Sequence, residues 1–352
     1  MRVALLCSEP LDLRRGSGTA AALHALRTAL RLQGVPTALV VPRRLWRSGT
    51  LTRAQFNATL SAGSLRPFDA VLGLNGDGHT IAAQLNVPFV VLIKAFYAGA
   101  AAYERFPTKQ LLRLHARWEA LGAQRADAVV VPSKFAADQV VQQYHVASAA
   151  VHVIPEPFDA AAWRDALPRP RRGGTRVLCV AHLYPRKRVI DLIEAWQIVQ
   201  QRLPGVRLDI AGDGPELRRL VHASRGLRRC YLHGHVDREA LRELHARADV
   251  FVLPSAQETF GYAMVEAMAG GLPVVYADAG ALPEVAGDAI GCQVAAADIA
   301  GLASAMITLL TDDDARNHAA QRNPNRAAAF APQACGAAMV DLLSSLARSA
   351  SR

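Results

Sequence analysis

The stretch Asp249–Ala277 constrains this chain more than any other. It opens with a short apolar run, Asp249–Leu253, stopped by Pro254 and Ser255. Tyr262–Ala269 then places apolar residues at helical spacing, with Gly270-Gly271 as a stop. A second apolar run, Leu272–Ala277, follows at once. Apolar runs without polar alternation read as strands buried on both faces. Strand, loop, helix and strand in that order is the building unit of a parallel sheet.

Two carboxylates mark this unit, Glu258 before the helix and Glu266 inside it. In open α/β sheets ligands sit beyond the carboxyl ends of the strands, and Glu258 lies at such an end. A helix beginning near Gly261 directs its first amides to the same place, which suits an anion. A helix glutamate is ordinarily solvated. Val265, Ala267 and Met268 crowd Glu266, however, so it needs a partner, and ligand hydroxyls would serve.

The same pattern fills the rest of the chain. Residues 2–7 read as a strand, followed by a loop with Gly16 and Gly18, a helix over 20–32 and the strand Thr37–Val41. Further strands are expected at Phe68–Leu74, Pro88–Ile93, Asp127–Pro132 and Val151–Pro155, with a helix over 80–85, a loop over 96–106 and Ser133 as a helix cap. Residues 155–174 gather prolines, two glycines and a run of arginines, and read as a linker. The second half restarts with the strand Thr175–Val180 and then His182, Arg186, Lys187 and Arg188 before a helix, a cationic loop at a strand end. The acidic run Asp312–Asp314 reads as helix capping, and a last helix follows Pro332.

Glu258, Phe260, Gly261 and Glu266, with Ala267 to Gly271 and Pro273-Val274-Val275 behind them, resemble the E-x7-E signature of glycosyltransferase family 4. The resemblance implies a GT-B fold. That means two doubly wound Rossmann-like domains facing a cleft, over 1–158 and 172–330, joined by a linker at 159–171. A C-terminal helix at 331–352 returns to the first domain. It also implies a retaining transfer from a nucleotide-diphosphate sugar to an unknown acceptor. By the resemblance, Glu258 meets donor-sugar hydroxyls and Glu266 the donor ribose. Lys187 meets the pyrophosphate, with Arg186 sharing the task because His182 stands where the family has an arginine. Thr259 stands where the family usually has glycine. The turn at Tyr231–Val236, with Val236, is placed beside the nucleotide base, and Gly16 and Gly18 in a glycine loop that faces donor phosphates and acceptor. Asp77, His79 and Lys94 fall in the acceptor region. Lys94 replaces the family's histidine, so no catalytic histidine carries over. An epimerase of the same fold and a non-catalytic partner subunit are the rival readings.

The formal charge of +10 comes from 40 Lys+Arg against 30 Asp+Glu, yet the lysines are only Lys94, Lys109, Lys134 and Lys187. That is an arginine-biased composition. Arginines interleaved with aromatics and zinc-finger spacing are both missing, so a nucleic-acid partner is not expected. Arg43-Arg44-Leu45-Trp46-Arg47 is the best candidate for a peripheral contact with anionic lipid at the inner face of the membrane. The five cysteines form no CxxC pair and read as thiols of a reducing cytoplasm. No apolar segment of membrane-spanning length is expected. Asp77 and His79 alone make a poor metal pair, so no metal and no cofactor are expected.

Overall fold

The structure is a computed structural model that describes residues 1–10, 18–168, 173 and 175–350. Its contacts divide the chain into two compact units, the first holding residues up to Pro157 together with those from Pro332, the second running from Phe158 to Ala331.

Unit 1 carries β1 (Val3–Leu6), α1 (Gly18–Leu32), β2 (Thr37–Val40), α2 (Gly49–Thr59), α3 (Ala62–Leu65), β3 (Ala70–Leu74), β4 (Phe89–Leu92), α4 (Tyr97–Ala102), α5 (Thr108–Arg125), β5 (Ala128–Val131), α6 (Lys134–Tyr144) and β6 (Val151–Val153). Its sheet is parallel in the order β2-β1-β3-β4-β5-β6. Unbroken apolar strands bury side chains on both faces: Val3, Leu5 and Val90 pack on one side, Ala4, Leu6 and Val91 on the other. Ser133 caps α6 by accepting from the amide of Ala136 at 3.1 Å.

Unit 2 carries α7 (Ala160–Asp165), β7 (Arg176–Val180), α8 (Val189–Arg202), β8 (Arg207–Ala211), α9 (Leu217–Ala223), β9 (Cys230–Gly234), α10 (Arg238–Arg247), β10 (Val250–Leu253), α11 (Tyr262–Ala269), β11 (Val274–Ala277), α12 (Leu282–Ala286), β12 (Gly291–Val294), α13 (Ile299–Thr311) and α14 (Asp313–Ala328). Its parallel sheet runs β12-β11-β10-β7-β8-β9. The chain starts in the middle at β7, winds outward through β8 and β9, and returns to β10 on the other side of β7. The loops after β7 and β10 therefore part in opposite directions, and between them lies the switch point where doubly wound sheets bind ligands. In unit 1 the corresponding reversal lies between β1 and β3.

Two aspartates, Asp249 buried and Asp127 exposed, fix strand starts. Asp249, just before β10, accepts from the amides of Gly173, Thr175 and Arg176 at 2.9–3.0 Å. Asp127, just before β5, accepts from Phe89 at 2.8 Å. Each supplies an acceptor to amides that have no strand partner there.

Several elements differ from the sequence expectation. The helix expected over 80–85 is a 3₁₀ turn at Ala82–Gln84, and the expected loop over 96–106 contains α4. The expected linker contains α7, whose Trp163 is buried against Phe158 and His245, so this stretch belongs to unit 2. Asp312, by contrast, caps α14 as expected, accepting from the amide of Ala315 at 2.8 Å. The run Asp313–Ser349 is long and apolar enough to cross a membrane by length and composition, against the expectation that no segment is. Its second part, α15 (Pro332–Ala350), returns to unit 1 and buries Cys335, Met339 and Leu343 in that unit's core.

Helices α15 and α1 approach at Gly336, where a Cβ would stand 2.5 Å from the carbonyl oxygen of Ala29. Gly336→Ala must push the two helices apart, at about 1–3 kcal/mol for an overpacked contact. A thermal scan is expected to show a lower apparent melting temperature; an unchanged one would mean that α15 does not pack this closely.

Candidate functional site

Three loops meet at the switch point of unit 2. After β7 the chain makes a 3₁₀ turn, Pro185–Lys187, and Arg188 opens α8 in the left-handed region at φ 49°. After β10 comes residues 254–261, and after β11 residues 278–281. Backbone bonds tie them together. Ala256 donates to the carbonyl of Arg186 at 2.8 Å, and Ala281 donates to the carbonyl of Glu258 at 3.0 Å. Gly280 fits at φ 61° only because it has no Cβ, which would lie 2.6 Å from the carbonyl oxygen of Glu258.

Across this frame Lys187 and Glu258 form an ion pair, with both side chains only 12% exposed. Burial pulls the Lys187 ammonium below the usual lysine range, Glu258 opposes that pull, and Arg186 adds to it. Arg188 turns back onto its own helix, Nε to Asp191 at 2.5 Å. Arg186 lies over the Tyr184 ring at 4.9 Å, and exposed His182 has its ring 6.5 Å from that of Tyr184. The structure thus brings Lys187 and Glu258 into direct contact, keeps Arg186 and His182 on the adjoining turn, and spends Arg188 on α8.

Helix α11 begins after Gly261, itself left-handed at φ 91°. Phe260 is core: its ring packs edge-on against Tyr262 and Phe330. Thr259 is half-buried beside Glu258. Glu266 is half-buried, and its carboxylate has no hydrogen-bond partner among the described residues. Burial pushes it up to about 7, with Arg238 pulling the other way. Ser255 Oγ and Gln257 Oε1, on the loop that carries Glu258, are buried with no partner among the described residues. The sequence reading did not single them out; buried polar atoms left unpaired on a ligand-side loop were the missed signal. Val236 is half-buried in the turn after β9. His233, on β9, bonds Asp209 of β8 at 2.7 Å and Asp209 also holds Arg207, which accounts for His233 without a metal.

Unit 1 carries a second polar cluster at its own switch point. Asp77 is fully buried and accepts from the Ser8 amide at 2.6 Å, the Ser8 hydroxyl at 2.9 Å and Asn57 at 3.0 Å. Arg53 lies 3.6 Å from Asp77 and donates to Glu9 at 2.9 Å. Glu9 Oε1 also accepts from Asn75 and from the Tyr97 hydroxyl, both at 2.8 Å. Asp77, expected in the acceptor region, has no exposed surface and both oxygens bonded, so it anchors the loops there. His79, expected in the same region, is buried, bonded to the carbonyl of Gly76 at 3.0 Å and stacked on Trp118. Lys94 pairs with Glu156 at 2.6 Å, and both side chains are buried. Gly18 opens α1, and Gly16 lies outside the described residues. Arg53 and Asn57 on α2, and Glu9 after β1, were missed because polar residues at such places look like an ordinary solvated face in the sequence.

Comparison with known proteins gives this arrangement its class. Sucrose-phosphate synthase from Thermosynechococcus elongatus superposes with a TM-score of 0.79 at 21% identity, covering 98% of each chain. The Anabaena protein HepE, in complex with UDP and glucose, does so at 0.75 and 18% identity, over 98% of this chain and all of that one. The fold is GT-B. The glycosyltransferase family 4 model matches residues 17–162, and the model for glycosyl transferases group 1 matches 174–312. Glycogen synthase of Mycobacterium tuberculosis is 34% identical over 245 residues, which are 68% of this chain and 59% of that protein. The chain thus spans about 59% of the length of that relative. A mannosyltransferase of the same organism, GDP-mannose-dependent and acting on phosphatidylinositol monomannoside, is 34% identical over 128 residues, 33% of each chain. The chain belongs to the family 4, group 1 glycosyltransferases.

Gly280→Ala tests whether the frame positions Glu258. The added methyl meets backbone at a left-handed position, and about 1–3 kcal/mol of stability should go. Turnover should fall further than the melting curve explains, because the Glu258 loop has to move. A stable variant with unchanged turnover would show that the frame is not needed.

Proposed function

We propose that this chain moves a sugar from a nucleotide-diphosphate sugar to an acceptor hydroxyl, with retention at the anomeric carbon. The observation that carries the reading is the Lys187–Glu258 pair at the switch point of unit 2. Bond breaking puts negative charge on the departing diphosphate. Lys187, Arg186 on the same turn and the first amides of α11 are cationic or dipolar groups already in place for that charge, so the proposal needs no metal. Glu258 is held by Lys187 and accepts donor-sugar hydroxyls; it is neutralised, which suits an acceptor of hydrogen bonds better than a free nucleophile. Glu266, without a hydrogen-bond partner among the described residues, takes the ribose hydroxyls. The bond from sugar carbon to diphosphate oxygen breaks, a bond to the acceptor oxygen forms, and the acceptor proton leaves with the nucleoside diphosphate. Acceptor binding falls to unit 1. Structural relatives solved with UDP and with UDP-glucose support the donor class.

Removing one member of the buried pair leaves the other charge uncompensated, so stability must be followed in every variant. Glu258→Gln should retain the fold and lose most transfer. Lys187→Ala should lose about 2.7–4 kcal/mol of transition-state stabilisation, the loss seen for one donor of an oxyanion hole. Turnover at saturating donor checks both, across a panel of nucleotide sugars. Wild-type rates in either variant would remove that residue from the mechanism, and activity lost to chelator but restored by magnesium would refute the metal-free scheme.

Cytoplasmic placement, with peripheral contact through residues 43–47, is part of the proposal. Leu45 and Trp46 are exposed there, and Arg44 lies 4.3 Å over the Trp46 ring. Sedimentation with anionic vesicles should fall on Trp46→Ala; equal sedimentation would exclude this segment.

A further inference from the structure

The outer side of α5 departs from the usual pattern of a surface helix, which turns its apolar stripe inward and leaves polar residues outside. Ala116, Glu119, Gly122 and Ala123 do face inward. The opposite side, however, mixes leucine with arginine. At helical spacing Arg113, Arg117 and Leu121 form one exposed row, and Leu111, a turn from the N-terminal end, is 47% exposed. The turn before the helix goes further. Phe106 is 82% exposed, the most of any large apolar residue among those described, and its neighbour Arg105 is exposed as well. Single exposed apolar side chains are normal on a protein surface. A group of them set among charges of one sign marks an interaction site.

The charge here is of one sign. From Arg105 to Arg125 the cations are Arg105, Lys109, Arg113, Arg117 and Arg125, and the one acid is Glu119, which is fully buried. A second segment extends the face. Thr50, at the start of α2, bonds His115 of α5 at 3.0 Å. Leu51, next to Thr50, is 57% exposed, and Leu111 lies one turn before His115. Residues 43–60 contain no acid, and Trp46 is held on α2 by its amide bond to Thr52 at 2.9 Å.

The apolar members decide between partners. Cations alone would suit nucleic acid, but binders of single strands place them among aromatic rings that stack on bases. On α5 the exposed apolar residues are leucines, which offer no such ring. Leucine and arginine on one helix face, with a protruding phenylalanine beside it, is the composition of a helix that lies in the headgroup region of an anionic bilayer. Long basic side chains reach the headgroup phosphates while their stems and the leucines sit deeper.

We propose that the exposed face of α5, together with the Phe106 corner, is a docking surface for an anionic lipid bilayer. It deepens the contact proposed for residues 43–47 and rests on that reading for the choice of a membrane, but it stands on different residues, so the two can fail separately.

Sedimentation of the full chain with vesicles tests it, using phosphatidylcholine and phosphatidylglycerol in equal parts and phosphatidylcholine alone. Wild type should pellet with the first, less so at high salt, and stay in solution with the second. Phe106→Ala should lower the partition coefficient about tenfold, the loss of one buried aromatic side chain. Arg113→Gln combined with Arg117→Gln should lower it about fivefold per arginine. These side chains are exposed, so the melting curves of the variants should match wild type. Wild-type pelleting of both variants overturns the proposal; if Trp46→Ala alone then releases the protein, residues 43–47 hold the membrane without α5. Equal pelleting with both kinds of vesicle overturns it too. So does polyuridylate that binds wild type more tightly than the vesicles and is lost in the arginine variant, which would make the partner a nucleic acid. A dimer in light scattering that Phe106→Ala dissolves would give the face to a second copy of the chain and end the proposal.

Discussion

The ion pair between Lys187 and Glu258 sits where two outward-winding halves of a parallel sheet begin. Taking two charges out of water costs several kcal/mol each, and their attraction only partly offsets this. A fold selected for stability alone could fill the same place with apolar side chains. What retains the pair is what lies around it. The loops after β7, β10 and β11 are bonded to one another through Arg186, Ala256, Glu258 and Ala281. Ser255 and Gln257 leave polar atoms unpaired in the same loops. Glu266 on the next helix has a carboxylate that the protein does not saturate. Together these are groups that an anion with attached hydroxyls would satisfy, and they stand at the carboxyl ends of the strands.

Unit 1 shows the opposite use of buried charge. The carboxylates of Asp77 and Glu9 are bonded by Ser8, Asn57, Arg53, Asn75 and Tyr97, while Nη1 of Arg53 has no partner among the described residues, so most of this cluster serves to hold loops at the switch point. Glu119 is satisfied on one side only: fully buried, its Oε2 accepts from the Tyr97 amide at 3.0 Å and from the Tyr144 hydroxyl, Oε1 has no partner among the described residues, and burial lifts its carboxyl to about 7. The contrast separates the two clusters by chemistry. Asp77 has its donors within the chain and fixes structure; Glu266 has none among the described residues and is left to ligand hydroxyls in the proposed scheme.

The parts legible in the sequence were those with short-range signals. Fully buried strands are continuous apolar runs, and their order with helices between them gave the two parallel sheets. Glu258, Lys187 and Glu266 were legible because strand ends and helix starts place them. Parts set by contacts far along the chain were not. Nothing near Arg53 tells that it reaches Asp77 and Glu9, and the prolines around α7 hide a helix whose Trp163 is drawn in by His245 and Phe251 behind it. The burial of Asp77 and His79 was not legible for the same reason: a polar loop after a strand reads alike whether it faces a ligand or its own protein.

The most direct measurement of the central claim is a crystal structure of this protein with a nucleoside diphosphate bound. The account places the diphosphate within hydrogen-bond distance of the Lys187 ammonium and at the start of α11, with the ribose hydroxyls on Glu266. A nucleotide seated elsewhere, with Lys187 and Glu258 paired only with each other, would contradict it.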